Sequence, residues 1–399
     1  MKIRLTLIAL LLCLLANLPI GHVSARLSSS SQDPAADSVR TSARRNIGSF
    51  FTKLRMKKEV TIAYFGGSAT AGSGAGDSSK TSYRMLVTEW LRSRNTQAQI
   101  KEINAAVDGT GSLYGAMRAR RDVIAHKPDL VFIEFASDDA GEKESAVKRA
   151  VEGIVRQFLT VSQPPEIVFL YTTNAKRNTQ TDWYEAVASY YRLPSLNLQD
   201  LTWKMIESGQ TTPSALWKDG IHPLDAGSKI YARLIIDYLT EQEKLTPSPI
   251  TRSLPPPFLS DELTYGELIP CAQLKHDALW KVEANNDRAL PSTLLTSDKP
   301  GTVIETLFEG TIVGLVYRAG PDAGTIECLI DGRPAPAPLD RIDAYDSVHR
   351  LATRIIAGGL GPGEHKLTIK IHNEKNPKSS GTSLRLGYLV IGGARPERL

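Results

Sequence analysis

The chain has 399 residues, with 48 Lys and Arg against 43 Asp and Glu and a formal charge of +5. That length accommodates two domains of ordinary size. Basic residues are scattered apart from "ARRNIGSFFTKLRMKKE" near residues 43–59, which reads as one exposed face of an amphipathic helix, so no nucleic-acid partner is expected.

Lys2 and Arg4 precede an apolar run from Leu5 to about Ile20, and Val23-Ser24-Ala25 follows with the small-residue pattern that signal peptidase cuts. The run is short for a membrane span. Residues 1–25 are therefore expected to be a signal peptide, with an uncleaved anchor as the alternative. Cys13 sits mid-run without small residues before it, which argues against a lipoprotein site. The mature chain is expected to be secreted or periplasmic, with no stable membrane insertion after cleavage.

Residues 26–42, "RLSSSSQDPAADSVRTS", read as a flexible leader. From Val60 onward short apolar strands alternate with segments of helical periodicity: "VTIAYF", "TSYRMLVTEWLRSR", "QIKEIN", "SLYGAMRARRDVIAH", "DLVFIEF", "ESAVKRAVEGIVRQFL", "EIVFLYT", "TDWYEAVASYYR", "PSLNL" and "DAGSKIYARLIIDYLTEQ". This alternation predicts parallel pairing and a three-layer αβα sandwich over residues 43–245. Proline density marks a linker at 246–258. Beyond it, over 259–399, β-branched runs punctuated by Gly, Pro and Asp predict an all-β sandwich of jelly-roll type. Cys271 and Cys328 could close a long disulfide loop if their Cα atoms approach closely enough.

Chemistry-bearing residues cluster where strands end, the usual site location in an open α/β sheet. After the first strand, "YFGGSATAGSG" places glycines on both sides of a turn that would lift the Ser68 hydroxyl above the sheet. Thr70 stands two after the serine, so this is not the G-x-S-x-G elbow. In "LWKDGIHPLDAG", Asp219 and His222 are three apart, a spacing that sets a carboxylate against one imidazole nitrogen and leaves the other for the Ser68 proton. In "NAAVDGTGS", Gly109 could offer its backbone N–H to an oxyanion.

The stretch "EFASDDA" ends the third strand with Asp138 and Asp139. Two carboxylates could ligate a divalent cation but fall short of the oxygen ligands such a site needs, and no further ligand cluster adjoins them, so neither metal nor cofactor is expected. Asn174 reads as a turn residue that could line the pocket. His126, His276, His349, His365 and His372 are isolated. Trp183, Tyr184, Tyr190 and Tyr191 recur at helical spacing, which favours packing over a sugar platform.

Together, "FGGSAT", "NAAVDGTGS", "EFASDDA" and "DGIHP", in order between about residues 58 and 243, make the chain resemble the SGNH (GDSL-like) hydrolases, in a G-G-S-x-T branch. The resemblance implies a flavodoxin-like fold and metal-free hydrolysis of esters or thioesters. Ser68 would be the nucleophile, His222 the base and Asp219 its orienter, with Ser68 and Gly109 in the oxyanion hole. Two positions depart from the pattern: Gly67 replaces the aspartate of G-D-S-L, and Asp138 replaces the oxyanion asparagine. An ionised carboxylate cannot donate a hydrogen bond, so Asp138 must either be held protonated or turn away to cap the helix beginning near Gly141. Asp139 is expected to be a helix cap or turn acid.

The function this predicts is removal of acetyl or other short acyl groups from an exported carbohydrate substrate. The alternatives are a lipolytic esterase or thioesterase, and a non-catalytic carbohydrate-binding protein with a decayed oxyanion hole.

Overall fold

The computed structural model describes residues 44–56, 59–248 and 254–393; the expected signal peptide and leader lie outside them. In the first half the strands are β1 (Glu59–Gly66), β2 (Gln99–Asn104), β3 (Leu130–Glu134), β4 (Glu166–Leu170) and β5 (Ser195–Leu196). The helices are α1 (Gly48–Met56), α2 (Ser68–Ala71), α3 (Tyr83–Arg94), α4 (Ser112–Asp122), α5 (Glu144–Leu159), α6 (Thr181–Tyr190), α7 (Leu198–Glu207), α8 (Pro213–Leu216) and α9 (Asp225–Gln242). The strands pair in parallel in the order β2-β1-β3-β4-β5. This is the flavodoxin-like order, whose switch point opens a crevice between β1 and β3.

Burial on both faces explains why β1 is apolar from Ile62 to Phe65. Val60, Ile62 and Tyr64 pack with α1, α3 and α9 in one layer, while Ala63 and Phe65 pack with α4, α5 and α6 in the other. On α5, Val147, Val151, Ile154 and Phe158 recur at helical spacing and are buried.

The second half contains β6 (Gly266–Pro270), β7 (Lys281–Ala284), β8 (Thr293–Ser297), β9 (Val303–Glu309), β10 (Ile312–Ala319), β11 (Thr325–Ile330), β12 (Arg333–Pro334), β13 (Arg341–Asp343), β14 (Arg350–Ala357), β15 (Glu364–Ile371) and β16 (Leu384–Gly392). One sheet runs β14-β10-β16-β8-β7, with β6 also on β16; the other runs β12-β11-β15-β9, with β13 also on β11. The order β14-β10-β16-β8 against β13-β11-β15-β9 is the strand order of a jelly roll. Its core joins Leu295, Val313 and Leu315 of one sheet to Ile326, Leu367 and Ile369 of the other. Cys271 and Cys328 are separate buried thiols in this core, so the disulfide left open by the sequence is not formed. Burial pushes the Cys328 thiol up to about 12.

The two halves share a core. Val316 on β10 and Tyr388 and Val390 on β16 turn away from the sandwich interior and pack with residues of α4 and α5. Both faces of these strands are thus covered, which is why "TIVGLVYRAG" carries no polar alternation. Gly153 and Gly266 are sites of close approach: a Cβ would lie 2.4 Å from the Leu263 Cβ at the first and 2.6 Å from the Ala116 carbonyl at the second. The proline-rich segment runs against α5, where the Glu152 carboxylate accepts the amides of Phe258, Leu259 and Ser260, and Arg156 donates to the Pro255 carbonyl.

Candidate active site

Ser68 opens the one-turn helix α2 directly beyond β1 and is 3% exposed. The turn is anchored from below. Glu134, the last residue of β3, is wholly buried and accepts hydrogen bonds from Thr70 Oγ1 at 2.7 Å and Thr172 Oγ1 at 2.6 Å, while its carbonyl accepts the Gly67 N–H. Tyr83 OH meets Thr70 Oγ1 at 2.6 Å. Burial raises the Glu134 pKa above its ordinary value.

Asp138 points at the Ser68 turn. Both of its carboxyl oxygens lie 3.2 Å from the Ser68 amide nitrogen. Its own amide donates to the Phe135 carbonyl, and α5 begins only at Glu144 without a side-chain cap. The capping alternative for Asp138 is therefore corrected: the crevice between β1 and β3 holds its side chain over Ser68. Burial foremost, and then the Glu134 carboxyl, push its pKa well above the usual carboxylate range. Gly67 makes room for it, since a Cβ there would lie 2.1 Å from Asp138 Oδ2. The two departures from the family pattern are thus in contact.

Asp139 is 2% exposed and accepts the Ser112 amide at the start of α4 at 2.9 Å, together with the Tyr184 hydroxyl. It caps α4 rather than the helix that follows it in sequence. Tyr184, read as a packing residue, is also the hydroxyl partner of this carboxyl. Tyr184→Phe is expected to cost about 1–3 kcal/mol, the range for a hydrogen bond to a charged or buried acceptor, measured as a shift in the urea midpoint at constant m.

Asp219 and His222 lie on the loop between α8 and α9, closed by the Trp217–Pro223 bridge and by Gly220 at φ +83°. His222 Nδ1 is 2.6 Å from Asp219 Oδ2, and the other carboxyl oxygen accepts the amides of Ile221 and His222. The His222 amide, then its imidazole, hold the Asp219 carboxyl far below the usual range. An ionised Asp219 requires the proton on Nδ1 and leaves Nε2 as the free base. The loop following α2 is pressed against this histidine: Gly74 has φ +98°, and a Cβ there would lie 2.8 Å from the His222 carbonyl oxygen and 2.9 Å from its Cβ. A second tie joins the same segments, where Asp225 Oδ1 accepts the Gly76 amide and the Thr81 hydroxyl. An open trough of about 540 Å³ runs along Ala71–Ser78.

Gly109 occupies an exposed turn at φ +66°, with open space where a Cβ would be. The segment before it lies beside the end of β1 through hydrogen bonds from Ala105 N to Tyr64 O and from Val107 N to Gly66 O. Asn174 is engaged in its own turn, accepting from Lys176 N and donating to Asn178 Oδ1. Of the isolated histidines, His365 pairs with Asp331 and the Gly361 carbonyl, and His276 with the Leu274 carbonyl, both in the sandwich half. Among the described residues, no three or more His, Cys, Asp or Glu side chains come together as metal ligands.

Residues 64–230 match the GDSL-like lipase/acylhydrolase family. This stretch is a GDSL-like lipase/acylhydrolase domain, and the chain is a hydrolase acting on ester bonds. Among solved structures, a two-domain esterase (CEX) active on acetylated mannans superposes with a TM-score of 0.77 at 21% identity, covering 91% of this chain and 100% of that one. The same esterase co-crystallised with mannopentaose gives 0.76 at 21% identity, covering 92% and 99%. Axe2, an acetylxylan esterase from Geobacillus stearothermophilus, covers 45% of this chain and 94% of its own at 19% identity, with a TM-score of 0.41. A comparison with curated protein sequences finds no match. The likeness to the two-domain esterase extends the shared fold across both halves of the chain.

The GDSL-like domain also holds residues that sequence reasoning passed over. Glu134 was visible only as an acid ending an otherwise apolar strand. Its partners Thr70 and Thr172, and Tyr83 behind Thr70, come from three separate segments, and no local pattern connects them.

Proposed function

We propose that this chain is an exported carbohydrate esterase that removes acetyl or similar short acyl groups from a polysaccharide. Ser68 Oγ attacks the acyl carbon while His222 Nε2 takes its proton, and Asp219 holds the imidazole. The oxyanion meets the amides of Ser68 and Gly109 and the O–H of a neutral Asp138. Collapse expels the sugar alkoxide, which receives the proton from His222. Water, activated by the same base, then releases acetate from Ser68.

The observation that carries this reading is the Asp219–His222 pair, held at 2.6 Å and pressed against the loop that leaves the Ser68 turn. The trough along that loop is bordered by "AGSGAGDS", small and polar, which suits a hydroxyl-rich alcohol better than a long acyl tail. The two-domain likeness to an esterase active on acetylated mannans supports the substrate class. Export rests on the signal-like residues 1–25, and among the described residues no helix is long and apolar enough to cross a membrane.

Acetate release from acetylated mannan and acetylated xylan, paired with a chain-length series of p-nitrophenyl esters, tests the proposal. The expected result is acetate release by the wild type, abolished in Ser68→Ala, with activity falling beyond butyrate. Activity rising with chain length would assign the site to lipolysis instead. Failure of a fluorophosphonate to label Ser68 anywhere between about pH 5 and 8 would leave only a binding protein.

A further inference from the structure

Arg118, on α4, is wholly buried. Its guanidinium donates from Nη2 to the Gly66 carbonyl at 3.0 Å and from Nη1 to the Ala105 carbonyl at 2.5 Å, with Asp122 Oδ2 3.2 Å from Nη1. The rings of Phe65, Tyr114 and Phe135 surround it, with centroids 4.6, 5.6 and 5.8 Å from Cζ. Gly66 lies two residues before Ser68, and Ala105 four residues before Gly109. One rigid fork therefore clasps the roots of the two loops that carry the oxyanion amides.

We infer that Arg118 is a positioning residue that sets the separation of the Ser68 and Gly109 N–H donors and so the quality of the oxyanion hole; this rests on the catalytic reading above. A buried cation is costly, and apolar side chains of similar volume often stabilise as well or better, so packing alone does not call for an arginine at this place. The planar fork is what a lysine cannot reproduce, because an ammonium is a point charge on a flexible stem and cannot bind two carbonyls in fixed geometry. Misplacing reacting groups by about 1 Å is enough to cost on the order of 10²-fold in rate.

Arg118→Lys is expected to lower kcat on p-nitrophenyl acetate by ten- to a hundredfold with KM changed by less than about threefold, because the donors act on the transition state. Ile369→Val, in the sandwich core, is the control for a general loss of stability and is expected to keep wild-type kcat. Wild-type kcat in Arg118→Lys, or a loss no larger than the control's, would overturn the inference. If Arg118→Lys does not fold, Asp122→Asn, which frees one side of the fork, should lower kcat two- to fivefold at constant KM; an unchanged kcat overturns it as well. Fluorophosphonate labelling of the wild type separates the two levels. Without a Ser68 adduct the catalytic reading and this inference fall together, whereas an adduct with an indifferent Arg118 sinks only the latter.

Discussion

Asp138→Asn is expected to turn over a simple aryl acetate faster than the wild type at pH values where Asp138 is ionised, by roughly 10²–10³, with the gap closing as pH falls. The carboxyl lies 3.2 Å from the Ser68 amide through both oxygens, where an oxyanion would seek its donor. Protonated, it can give an O–H to that oxyanion. Ionised, it occupies the Ser68 N–H itself and sets a negative charge beside the developing one, a repulsion of about 4 kcal/mol at 4 Å and an effective dielectric of about 20. Burial and the nearby Glu134 hold the proton on Asp138 well above the usual carboxylate range, so the wild type is expected to work while that proton stays and to lose activity as it leaves. An amide donates at every pH. Superimposable pH profiles for the two enzymes would remove Asp138 from the mechanism.

The same substitution has a thermodynamic signature. The folded-state pKa of Asp138 is raised, so the folded chain keeps a proton that the unfolded chain releases above about 3.9. Its contribution to stability is therefore full below that value and is lost as pH rises toward the folded-state pKa. Asparagine carries no such proton, and its melting temperature should gain on the wild type through this window. Glu134 and Asp139 are raised by burial as well, so some decline with pH should persist in the variant.

Gly67→Ala is expected to cost at least tenfold in kcat and about 1–3 kcal/mol in stability, because the added Cβ would sit 2.1 Å from Asp138 Oδ2 and 2.3 Å from its Cγ. The backbone at Gly67 has φ −101°, which any residue adopts, so the penalty is contact rather than strain. Either the carboxyl leaves the Ser68 amide or the turn moves. In an Asp138→Ala background the obstruction is gone, and Gly67→Ala should then be nearly neutral. The measurement is a double-mutant cycle on kcat and urea midpoint. Additive effects would show that the two positions do not act on each other.

These two residues mark the boundary of what the sequence reveals. The turn at Ser68 and the Asp219–His222 contact were legible because each is local: a glycine-flanked turn after a strand, and two residues three apart around Gly220. The αβα order was legible because strand and helix periods alternate without interruption, and in the second half β9, β10, β11, β15 and β16 announced themselves by β-branched runs between turns. Less visible were β6, β7, β8, β12, β13 and β14, and the helices α7 and α8, whose signals are short or mixed with polar residues.

Asp138 shows the other side. As a sequence feature it was an asparagine position filled by an acid, with two possible orientations. The absent Cβ at Gly67 leaves it a space over Ser68, and burial beside Glu134 gives it a reason to keep its proton.

The sequence by itself determined the layer order, the glycine-flanked turn that carries Ser68 and the spacing of the acid–histidine pair, because each depends on residues within a few positions of one another. The tertiary structure alone decided which way Asp138 faces, which carboxyls share the buried space behind Ser68, and that the sandwich sheet covers α4 and α5. Those outcomes arise from contacts between segments tens to hundreds of residues apart, where close approach and desolvation, rather than local propensity, set the energy.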